Sequence, residues 1–468
     1  MLEGLKKRLF GRVDIASMVV FRVVFGLAAT VGALRYFAYG WVDKLYVAPE
    51  YYFTYFGFDW VQPWPEWGMY VHFAVMAVLG LCIAAGLFYR ASTTLYFLAF
   101  TYVELLDKTN YLNHYYFVSL VAFLMIFMPL GRYWSIDAWR DPGRRTETAP
   151  GWVLWSLRLQ LAAVYVFAGL AKVQPEWLLE GQPLGIWLAA RTDFPILGML
   201  FEWPWTAHVM AWAGMIFDLT IVGWLSWSKS RPFAYLAVIG FHVVTGLLFN
   251  IGLFPLIMIG LTPIFFAPDW PRRLWNMLGL QEKLGVGPTD APEPSPESSG
   301  VNPSWSGKLA VGAFAVYFAV QVALPLRHLA YPGDVLWNHQ GWRFSWRVML
   351  VEKSGFFKYQ VRDEDSDKQW TVRPQDFLTP RQHQLAAGHP DMILQLAHDI
   401  EDDFRRRGYG DVEVRVDAWT SIHGEPARRL VDPEVDLSSC ERGFVHFDWV
   451  TEQRERTRET VAGRGGSG

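Results

Sequence analysis

Long apolar stretches, separated by short polar segments, recur along the first two thirds of the chain. Each stretch has roughly 16–23 residues, close to the length that a helix needs to cross a hydrocarbon core ~30 Å thick. This pattern predicts a polytopic α-helical membrane protein with about nine transmembrane helices. The predicted spans are residues 13–34, 67–89, 91–106, 111–130, 152–172, 207–228, 232–249, 251–267 and 308–327.

After the last predicted span the pattern changes, and we predict a small C-terminal α+β domain over residues 328–450. The segments FFKYQVRD and KQWTVRP alternate on either side of DEDSD, as the two strands of a hairpin do. The segment PDMILQLAHDIEDDFRRRG has a helical spacing of apolar residues, and VEVRVDAWTSI and ARRLVD predict further strands.

Three segments differ in composition from these two domains. Residues 1–12 are basic, and the apolar run that follows has no small-residue cleavage site, so we predict a retained first helix and not a signal peptide. Residues 283–307 form a Pro-, Ser- and Glu-rich linker within the transmembrane domain, which we assign to residues 13–327. The tail over residues 451–468 is expected to be disordered.

Positive charges in the segments between spans predict the orientation. With the N-terminus inside, fifteen fall on the cytoplasmic side, namely Lys6, Lys7, Arg8, Arg12, Arg90, Arg132, Arg140, Arg144, Arg145, Lys229, Arg231, Arg272, Arg273, Lys283 and Lys308. Four fall on the outer side, namely Arg35, Lys44, Lys108 and Arg191. We therefore expect an integral protein of the plasma (inner) membrane, with a cytoplasmic N-terminus and an extracytoplasmic C-terminal domain.

Composition excludes several function classes. Hydrophobic residues make up 52% of the chain and charged residues 19%, the net charge is −3, and no block of like charge indicates a nucleic-acid partner. Cys82 and Cys440 lie in very different surroundings, which argues against a disulfide and excludes a CxxC metal cage. A Gly-rich phosphate loop, a GxSxG elbow and an HExxH pair are all missing from the C-terminal domain, so common hydrolase and nucleotide-binding sites are excluded there.

Lys172 ends the apolar run LAAVYVFAGLAK. It is either an ordinary anchor at the membrane interface, with its ammonium among the headgroups, or a buried amine kept neutral for use as a base. The small residues before it favour close helix packing over exposure to lipid. An enclosed amine would be desolvated, which disfavours its charged form and would let it act as a base near neutral pH.

The run DKTNYLNH, from Asp107 to His114, is a second polar cluster between apolar runs. For Asp107 and its two neighbours a hydrated loop is the better interpretation. Asn113 and His114 begin the next predicted span, so they are either satisfied structural residues or part of a site with Lys172. Metal binding is not expected, because no second ligand lies at helical spacing from His114.

Further ionisable or polar residues lie at membrane depth, where they are candidates for function. His242 and Asn250 are two helical turns apart, so one helix face would present both to a polar cavity. Asp218 lies in the middle of a predicted span, where a carboxylate needs a partner or a proton. The residues expected near one membrane face are Lys172, His114, Asn250 and His328.

Four motifs in order resemble a known family. They are DKTNYLNHYY, YVFAGLAKVQPEW, FHVVTGLLFNIGLFPLIM and YPGDVLWNHQGWRFSWRVMLVEKSG. Together they resemble the vitamin K-dependent γ-glutamyl carboxylases, and more closely the bacterial members that share the horizontally transferred transmembrane (HTTM) domain. The resemblance covers residues 10–440.

The resemblance implies an activity and its cofactors. The cofactors would be reduced vitamin K (a hydroquinone or menaquinol), O2 and CO2, without a metal. Lys172 matches the family's lysine that deprotonates the hydroquinone, and His114 matches a histidine that assists, with Asn113 as its hydrogen-bonding neighbour. Oxidation to the epoxide would supply the base that removes a proton from a peptide or protein glutamate, which then takes up CO2. The partners implied are membrane lipid and a glutamate substrate approaching from the outer side.

The segment after the last span is where the chain departs from the family pattern. Trp337, Arg343 and Trp346 are candidate substrate contacts, with core packing as the alternative for the two tryptophans. Arg343 could hold a carboxylate with both arms of its guanidinium. Val351 and Lys353 stand where the family would have histidine and arginine, so recognition of a propeptide of the animal type is not expected.

Two other functions remain compatible with the sequence. One is a quinol epoxidase or oxidase without carboxylation. The other is a non-enzymatic HTTM protein whose cavity binds a lipid or a peptide.

Overall fold

The computed structural model describes residues 2–279 and 304–452, and the chain divides into two compact units. The first unit comprises Met1–Pro325 and Arg343–Leu350, and the second comprises Leu326–Trp342 and Val351–Gly468. Most of the predicted linker over 283–307 and of the predicted tail over 451–468 lies outside the described residues.

The first unit is helical. Its helices are α1 (Leu2–Phe10), α2 (Ala16–Ala38), α3 (Trp41–Tyr46), α4 (Glu66–Ala85), α5 (Tyr89–Leu106), α6 (Asn113–Ile126), α7 (Ile136–Arg140), α8 (Gly151–Ala171), α9 (Pro175–Leu178), α10 (Leu184–Ala189), α11 (Gly198–Phe201), α12 (Pro204–Ser226), α13 (Arg231–Leu248), α14 (Phe254–Leu261), α15 (Trp270–Met277) and α16 (Trp305–Leu326). Two short strands, β1 (Arg12–Asp14) and β2 (Thr148–Pro150), pair antiparallel.

Six helices within the described ranges are long and apolar enough to cross a membrane: α2, α4, α8, α12, α13 and α16. The predicted spans 91–106, 111–130 and 251–267 correspond to α5, α6 and α14. Of these, α6 has 14 residues and α14 has 8, which is shorter than the roughly 20 residues of a full crossing. The structure therefore supports an integral membrane protein with six candidate spans, and the number nine stays a prediction.

The first span begins later than predicted, at Ala16 instead of residue 13. Arg12–Asp14 pairs with Thr148–Pro150 as a strand, so these residues are extended. Asp14 then accepts a hydrogen bond from the backbone N–H of Ala16 over 2.7 Å, and its other oxygen accepts one from Arg272 over 2.8 Å. The polar contacts of Asp14 thus fix the start of α2.

Small residues let the apolar helices pack closely. A Cβ at Gly26 on α2 would lie 2.4 Å from the backbone nitrogen of Ala84 on α4. A Cβ at Gly80 on α4 would likewise lie 2.8 Å from the backbone nitrogen of Thr30 on α2. The hydroxyl of Thr30 donates across this contact to the carbonyl of Ala77 over 3.3 Å. Close backbone approach of this kind stabilises helix pairs in lipid, where no hydrophobic force holds the helices together.

The second unit is a four-stranded antiparallel sheet with helices. Its elements are α17 (Val335–Asn338), β3 (Lys353–Asp363), β4 (Gln369–Val372), α18 (Pro380–Ala386), α19 (Pro390–Arg406), β5 (Val412–Ile422) and β6 (Arg428–Arg429), with strand order β4-β3-β5-β6. Side chains along β5 alternate between buried and half-buried, and α19 packs on the buried face. The predicted hairpin, helix and long strand are confirmed, whereas the strand predicted in ARRLVD is reduced to Arg428–Arg429.

Candidate active site

Helices α8 and α12 pack closely at Gly169. A Cβ there would lie 2.8 Å from Cγ of Leu219 and 2.9 Å from its backbone nitrogen. Helix α8 ends at Ala171, with Lys172 as its C-cap, so the lysine side chain lies beside the middle of α12. Asp218 is about 21 Å along the axis from Pro204, where α12 begins. The end of α8 therefore meets α12 well inside its length.

Lys172 and Asp218 form a buried ion pair. The amine donates to Oδ2 of Asp218 over 2.7 Å and to the carbonyl of Ala168 over 3.3 Å. Lys172 is 7% exposed and Asp218 is 4% exposed. Lys172 is thus a buried amine and not an exposed interface anchor. The expectation of a lone amine changes, because a carboxylate lies within hydrogen-bonding distance of it.

The segment between α8 and α12 covers this pair. Trp177 lies on α9, with its ring centroid 5.5 Å from the amine of Lys172. Its indole N–H donates to the carbonyl of Ala211 on α12 over 2.8 Å, and Trp212 donates to the carbonyl of Leu178 over 3.0 Å. These bonds fix the short helix against α12 and keep an aromatic ring over the ammonium, a favourable cation–π arrangement.

A cavity of about 440 Å³ adjoins the pair and is lined by α8, α12, α13 and α14. Its wall is mostly apolar and aromatic, with Phe217, Phe241, Phe249 and Phe254 among the lining residues. The polar side chains that reach it are those of Lys172, Asp218, Tyr165, His242 and Thr245. A largely apolar cavity with a few convergent polar groups is the usual form of a small-molecule site.

His242 lies on the wall of the same cavity, on α13. Its Nε2 shares a hydrogen bond with the hydroxyl of Tyr165 over 3.1 Å. Its Nδ1 is buried and has no hydrogen-bond partner among the described residues. A buried imidazole nitrogen without a partner is costly unless a ligand completes it. The structure thus brings His242 together with Lys172, as parts of one cavity.

Asn250 does not line this cavity, although Phe249 and Ile251 on either side do. Helix α13 ends at Leu248, and Phe249 is extended, with φ −122° and ψ 141°. The expectation that Asn250 and His242 share one helix face is therefore wrong, because the helical register stops before Asn250.

His114 lies behind the cavity and not on its wall. Its ring stacks on that of Phe254, with centroids 5.7 Å apart, and the same phenyl ring contacts His242 from another side at 6.0 Å. His114 lines a second, smaller cavity with Arg35, Tyr36 and Tyr115. Phe254 therefore lies between the two histidines, and the lining residues of the Lys172 cavity do not include His114.

Asn113 has a structural contact with the segment Arg343–Leu350. Its side-chain oxygen accepts from the hydroxyl of Tyr111 over 3.0 Å, and its amide donates to the carbonyl of Arg347 over 3.3 Å. The hydroxyl of Tyr111 accepts from the backbone N–H of Phe344 over 2.8 Å. Asn113 and Tyr111 thus hold this segment against the start of α6.

The segment Arg343–Leu350 also supplies part of the cavity wall, through Val348 and Met349. Phe344, Trp346 and Met349 all have positive φ, between 56° and 62°, a conformation that non-glycine residues rarely adopt. Trp346 is 1% exposed and packs on Tyr116 with ring centroids 5.1 Å apart. Of the two candidate substrate contacts in this segment, Arg343 is half-buried. Trp346 is buried in the core, as the packing alternative for the tryptophans predicts.

Trp337 and His328 belong to the second unit. Trp337 is buried, and its indole N–H donates to the carbonyl of Thr451 over 2.7 Å. His328 lies in a 3-10 turn beside Gly341, where a Cβ would be 2.7 Å from the Cα of His328. Trp337 therefore has a packing role within its own unit.

Lys353 is a half-buried lysine of the second unit, at the start of β3. Its amine donates to the carbonyls of Trp337 and Gly388 over 2.6 and 3.0 Å. Burial lowers the pKa of Lys353 to about 7, and burial with the nearby charge of Lys353 lowers the pKa of His423 to about 4. Two carbonyl acceptors satisfy the amine, and the charge of Asp334 opposes part of the effect of burial on its pKa.

Several residues of the site were not singled out by the sequence: Tyr165, Trp177, Val348 and Met349. In a chain with 16% aromatic residues, nothing local separates a cavity-lining ring from a lipid-facing one. Asp218 did carry a signal, since a carboxylate inside an apolar span needs a partner. Among the described residues, no group of three His, Cys, Asp or Glu is placed to hold a metal ion.

Comparison with known families gives two matches that together cover most of the chain. The model of the HTTM domain matches residues 10–270. The model of the vitamin K-dependent gamma-carboxylase lumenal domain matches residues 306–456. No solved structure matches the chain. The cavity with Lys172, Asp218 and His242 lies entirely within the helical unit that contains the HTTM match.

Proposed function

Because this chain belongs to the vitamin K-dependent gamma-carboxylase family, we propose that it is a vitamin K-dependent γ-glutamyl carboxylase, a carbon–carbon lyase. When bound, a reduced vitamin K or menaquinol-type hydroquinone would supply, with O2, the strong base that takes the γ-proton from a peptide glutamate, so that CO2 adds at that carbon. The hydroquinone would itself end as the epoxide. The observation that supports this best is the buried amine of Lys172 on the wall of an apolar cavity.

The cavity fits a quinone-type head group in size and in donor chemistry. Its volume of about 440 Å³ lies in the range of small-molecule sites, roughly 300–1,000 Å³. Apolar and aromatic walls suit a fused aromatic ring. Nδ1 of His242 has no hydrogen-bond partner among the described residues, and a hydroxyl or carbonyl oxygen of the head group would provide one. Lys172 and Asp218 supply the only charged groups among its described lining residues.

The protein's own contribution is a dry, preorganised site. Lys172 presents its amine to the cavity as the group that meets the proton to be removed, and Trp177 and the aromatic wall keep water away from it. Excluding water strengthens electrostatic interactions in the site and prevents loss of a reactive base to solvent protons. His242, oriented by Tyr165, would hold an oxygen atom in the cavity.

We extend this proposal to His114 and Asn113, whose roles follow only from the family resemblance. His114 would act through the second cavity behind Phe254, and Asn113 would hold the segment Arg343–Leu350 in place. A glutamate substrate would approach from the outer side. The cytoplasmic N-terminus, the inner-membrane location and the count of nine spans belong to the same proposal.

The experiment is an assay of the purified protein with reduced menaquinone, O2, labelled bicarbonate and a Glu-containing peptide. Epoxide together with label in the peptide supports the carboxylase. Epoxide without label would replace it by a quinol epoxidase, and absence of both would leave a non-enzymatic HTTM protein. Lys172→Met should abolish epoxide formation, while Lys229→Met, at an exposed lysine of the same unit, should leave it unchanged.

A further inference from the structure

A basic pocket of about 570 Å³ lies where the start of α5, the segment after α6 and the short helix α7 meet. Its charged lining residues are four arginines and two aspartates, namely Arg90, Arg132, Arg140, Arg144, Asp137 and Asp141. Positive side chains therefore outnumber negative ones. The pocket shares no lining residue with the Lys172 cavity, so it is a separate feature of the helical unit.

Both aspartates of the pocket already have partners. The two carboxylate oxygens of Asp137 accept from the backbone N–H groups of Phe88 and Tyr89, each over 2.8 Å, where α5 begins. Asp141 forms an ion pair with Arg144 over 2.9 Å. One aspartate thus caps a helix and the other neutralises one arginine.

The remaining three arginines, Arg90, Arg132 and Arg140, have exposed side chains and no ion pair within residues 2–279 and 304–452. The guanidinium of Arg140 stands over the ring of Phe88, 4.9 Å from its centroid, which holds it at the pocket. Three cationic groups converge here without a carboxylate of their own. A guanidinium binds phosphate oxygens with two parallel N–H donors, so the cluster suits a phosphate group.

An apolar groove of about 550 Å³ begins beside this pocket and runs between α5 and the end of α6. The groove and the pocket share Arg90 and Ala91 as lining residues, so one continues into the other. Leu95 and Phe127 line the groove and are 53% and 51% exposed. The hydroxyl of Thr94, also in the groove, donates to the carbonyl of Arg90 over 2.8 Å. The wall of the groove is therefore suited to a hydrocarbon chain.

The pocket lies at a membrane face. Helix α4, which is long and apolar enough to cross a membrane, ends at Ala85, and α5 begins four residues later at Tyr89. Phe88 and Trp139 beside the pocket are 58% and 80% exposed, and aromatic side chains are common at the interface between water and lipid. The positive charges predict that this face is the cytoplasmic one.

We propose that the pocket and the groove together bind one anionic phospholipid, with its phosphate among the arginines and one acyl chain between α5 and α6. Basic pockets between membrane helices on the cytoplasmic side bind anionic head groups in this way. A zwitterionic lipid brings its own ammonium and would leave the excess positive charge of the pocket unbalanced. The proposal does not depend on the reaction that the Lys172 cavity carries out.

Arginines that only set the orientation of the chain are the alternative. Such residues need to lie on the correct side of the membrane, but they need not converge on one pocket or adjoin an apolar groove. Lys6, Lys7 and Arg8 on α1 are basic residues of this ordinary kind. They are exposed, lie on the same predicted side and line neither the pocket nor the groove.

The first test compares lipid binding to the full-length protein in detergent by native mass spectrometry. The wild type should bind its first phosphatidylglycerol about tenfold or more tightly than phosphatidylcholine. The combined variant Arg90→Gln, Arg132→Gln and Arg140→Gln should weaken phosphatidylglycerol binding about tenfold or more. The combined variant Lys6→Gln, Lys7→Gln and Arg8→Gln removes the same charge and should change this affinity less than about twofold.

The second test concerns the groove and uses thermal unfolding in detergent. Phosphatidylglycerol should raise the unfolding temperature of the wild type, because a ligand of the folded state stabilises it. Ala91→Trp fills the groove and leaves the arginines in place, so it should remove most of this shift. Leu98→Trp, at an exposed position of α5 outside the groove, is the control and should retain it. Inorganic phosphate at the same concentration should not reproduce the shift.

Three outcomes would overturn the proposal. Equal affinity of the wild type for the two lipids would show that the pocket does not select an anionic head group. Equal weakening in the two combined variants would leave only a general attraction between positive charge and anionic lipid. A full shift in Ala91→Trp, with inorganic phosphate as effective as the lipid, would assign the pocket to a free anion. If the arginine variant does not fold, the lipid comparison and Ala91→Trp still decide.

Discussion

Gly169 on α8 lies against Leu219 on α12 so closely that a Cβ at residue 169 would be 2.9 Å from the leucine backbone nitrogen. Leu219 follows Asp218 directly, and Lys172 is three residues beyond Gly169. The absence of a side chain at Gly169 therefore brings the two backbones together at the place where the ion pair forms. Packing and candidate chemistry depend on the same contact.

Gly169→Ala should separate α8 from α12, since the atoms that it meets include backbone, which cannot rotate away. Overpacking of this kind typically costs ~1–3 kcal/mol, so thermal unfolding in detergent should begin at a lower temperature, and quinol turnover should fall. Gly223→Ala is the matched control on α12, because nothing lies within 4 Å of a Cβ there. Equal effects of the two substitutions would contradict the proposed role of this contact.

Removing one partner of the buried ion pair should destabilise the protein more than removing both. Lys172→Met leaves a buried carboxylate unpaired, at a cost of ~3–5 kcal/mol, whereas Lys172→Met combined with Asp218→Leu leaves no charge to desolvate. The double variant should therefore unfold at a higher temperature than the single one, although it is inactive. Additive losses in a double-mutant cycle would mean that the two side chains do not interact as the structure shows.

His242→Phe should weaken the binding of an oxidised menaquinone without unfolding the protein. Phenylalanine keeps an aromatic side chain at this position but lacks the unpartnered Nδ1 and the hydrogen bond to Tyr165. Loss of a hydrogen bond of about 1–1.5 kcal/mol to the quinone corresponds to roughly tenfold weaker binding. Quenching of tryptophan fluorescence measures this binding. His72→Phe, outside the cavity, is the control and should leave the Kd unchanged. Equal Kd values for all three proteins would show that His242 does not contact the ring.

Lys353 should make the stability of the second unit depend on pH. Burial lowers the pKa of Lys353 from 10.5 to about 7, so between these values the unfolded state binds a proton that the folded state does not. Stability therefore rises with pH over this window, by at most about 1.4 kcal/mol per pH unit, and is lost as pH falls through it. Hydrogen exchange of the β3 and β5 amides in the full-length protein measures this slope.

The slope should disappear in Lys353→Met and persist in Lys358→Met, whose lysine is exposed on the same strand. A slope that is the same in both variants would assign the pH dependence to another group.

The hydrophobic pattern was sufficient to locate the six candidate membrane helices of the described residues and most of the second unit. A span in lipid satisfies its own backbone and presents apolar side chains outward, so its position is a local property of the sequence. The same holds for the hairpin of β3 and β4 and for α19, where alternation and helical spacing match the structure. The prediction of spans was limited by helix length. Helix α6 has 14 residues, fewer than a full crossing of the membrane needs.

The site depended on contacts between distant segments. The sequence identified Lys172 as a candidate, and it indicated that Asp218 needs a partner. It did not indicate that the two residues, 46 positions apart, are each other's partners. That pairing depends on the packing of α8 against α12. The end of α13 at Leu248 removed Asn250 from the face of His242, and the ring of Phe254 separated His114 from the cavity. Hydropathy indicated which segments are long and apolar enough to cross a membrane, because burial in lipid acts on each segment alone. Which polar groups meet was decided only by tertiary structure, because it depends on how the helices lie against one another.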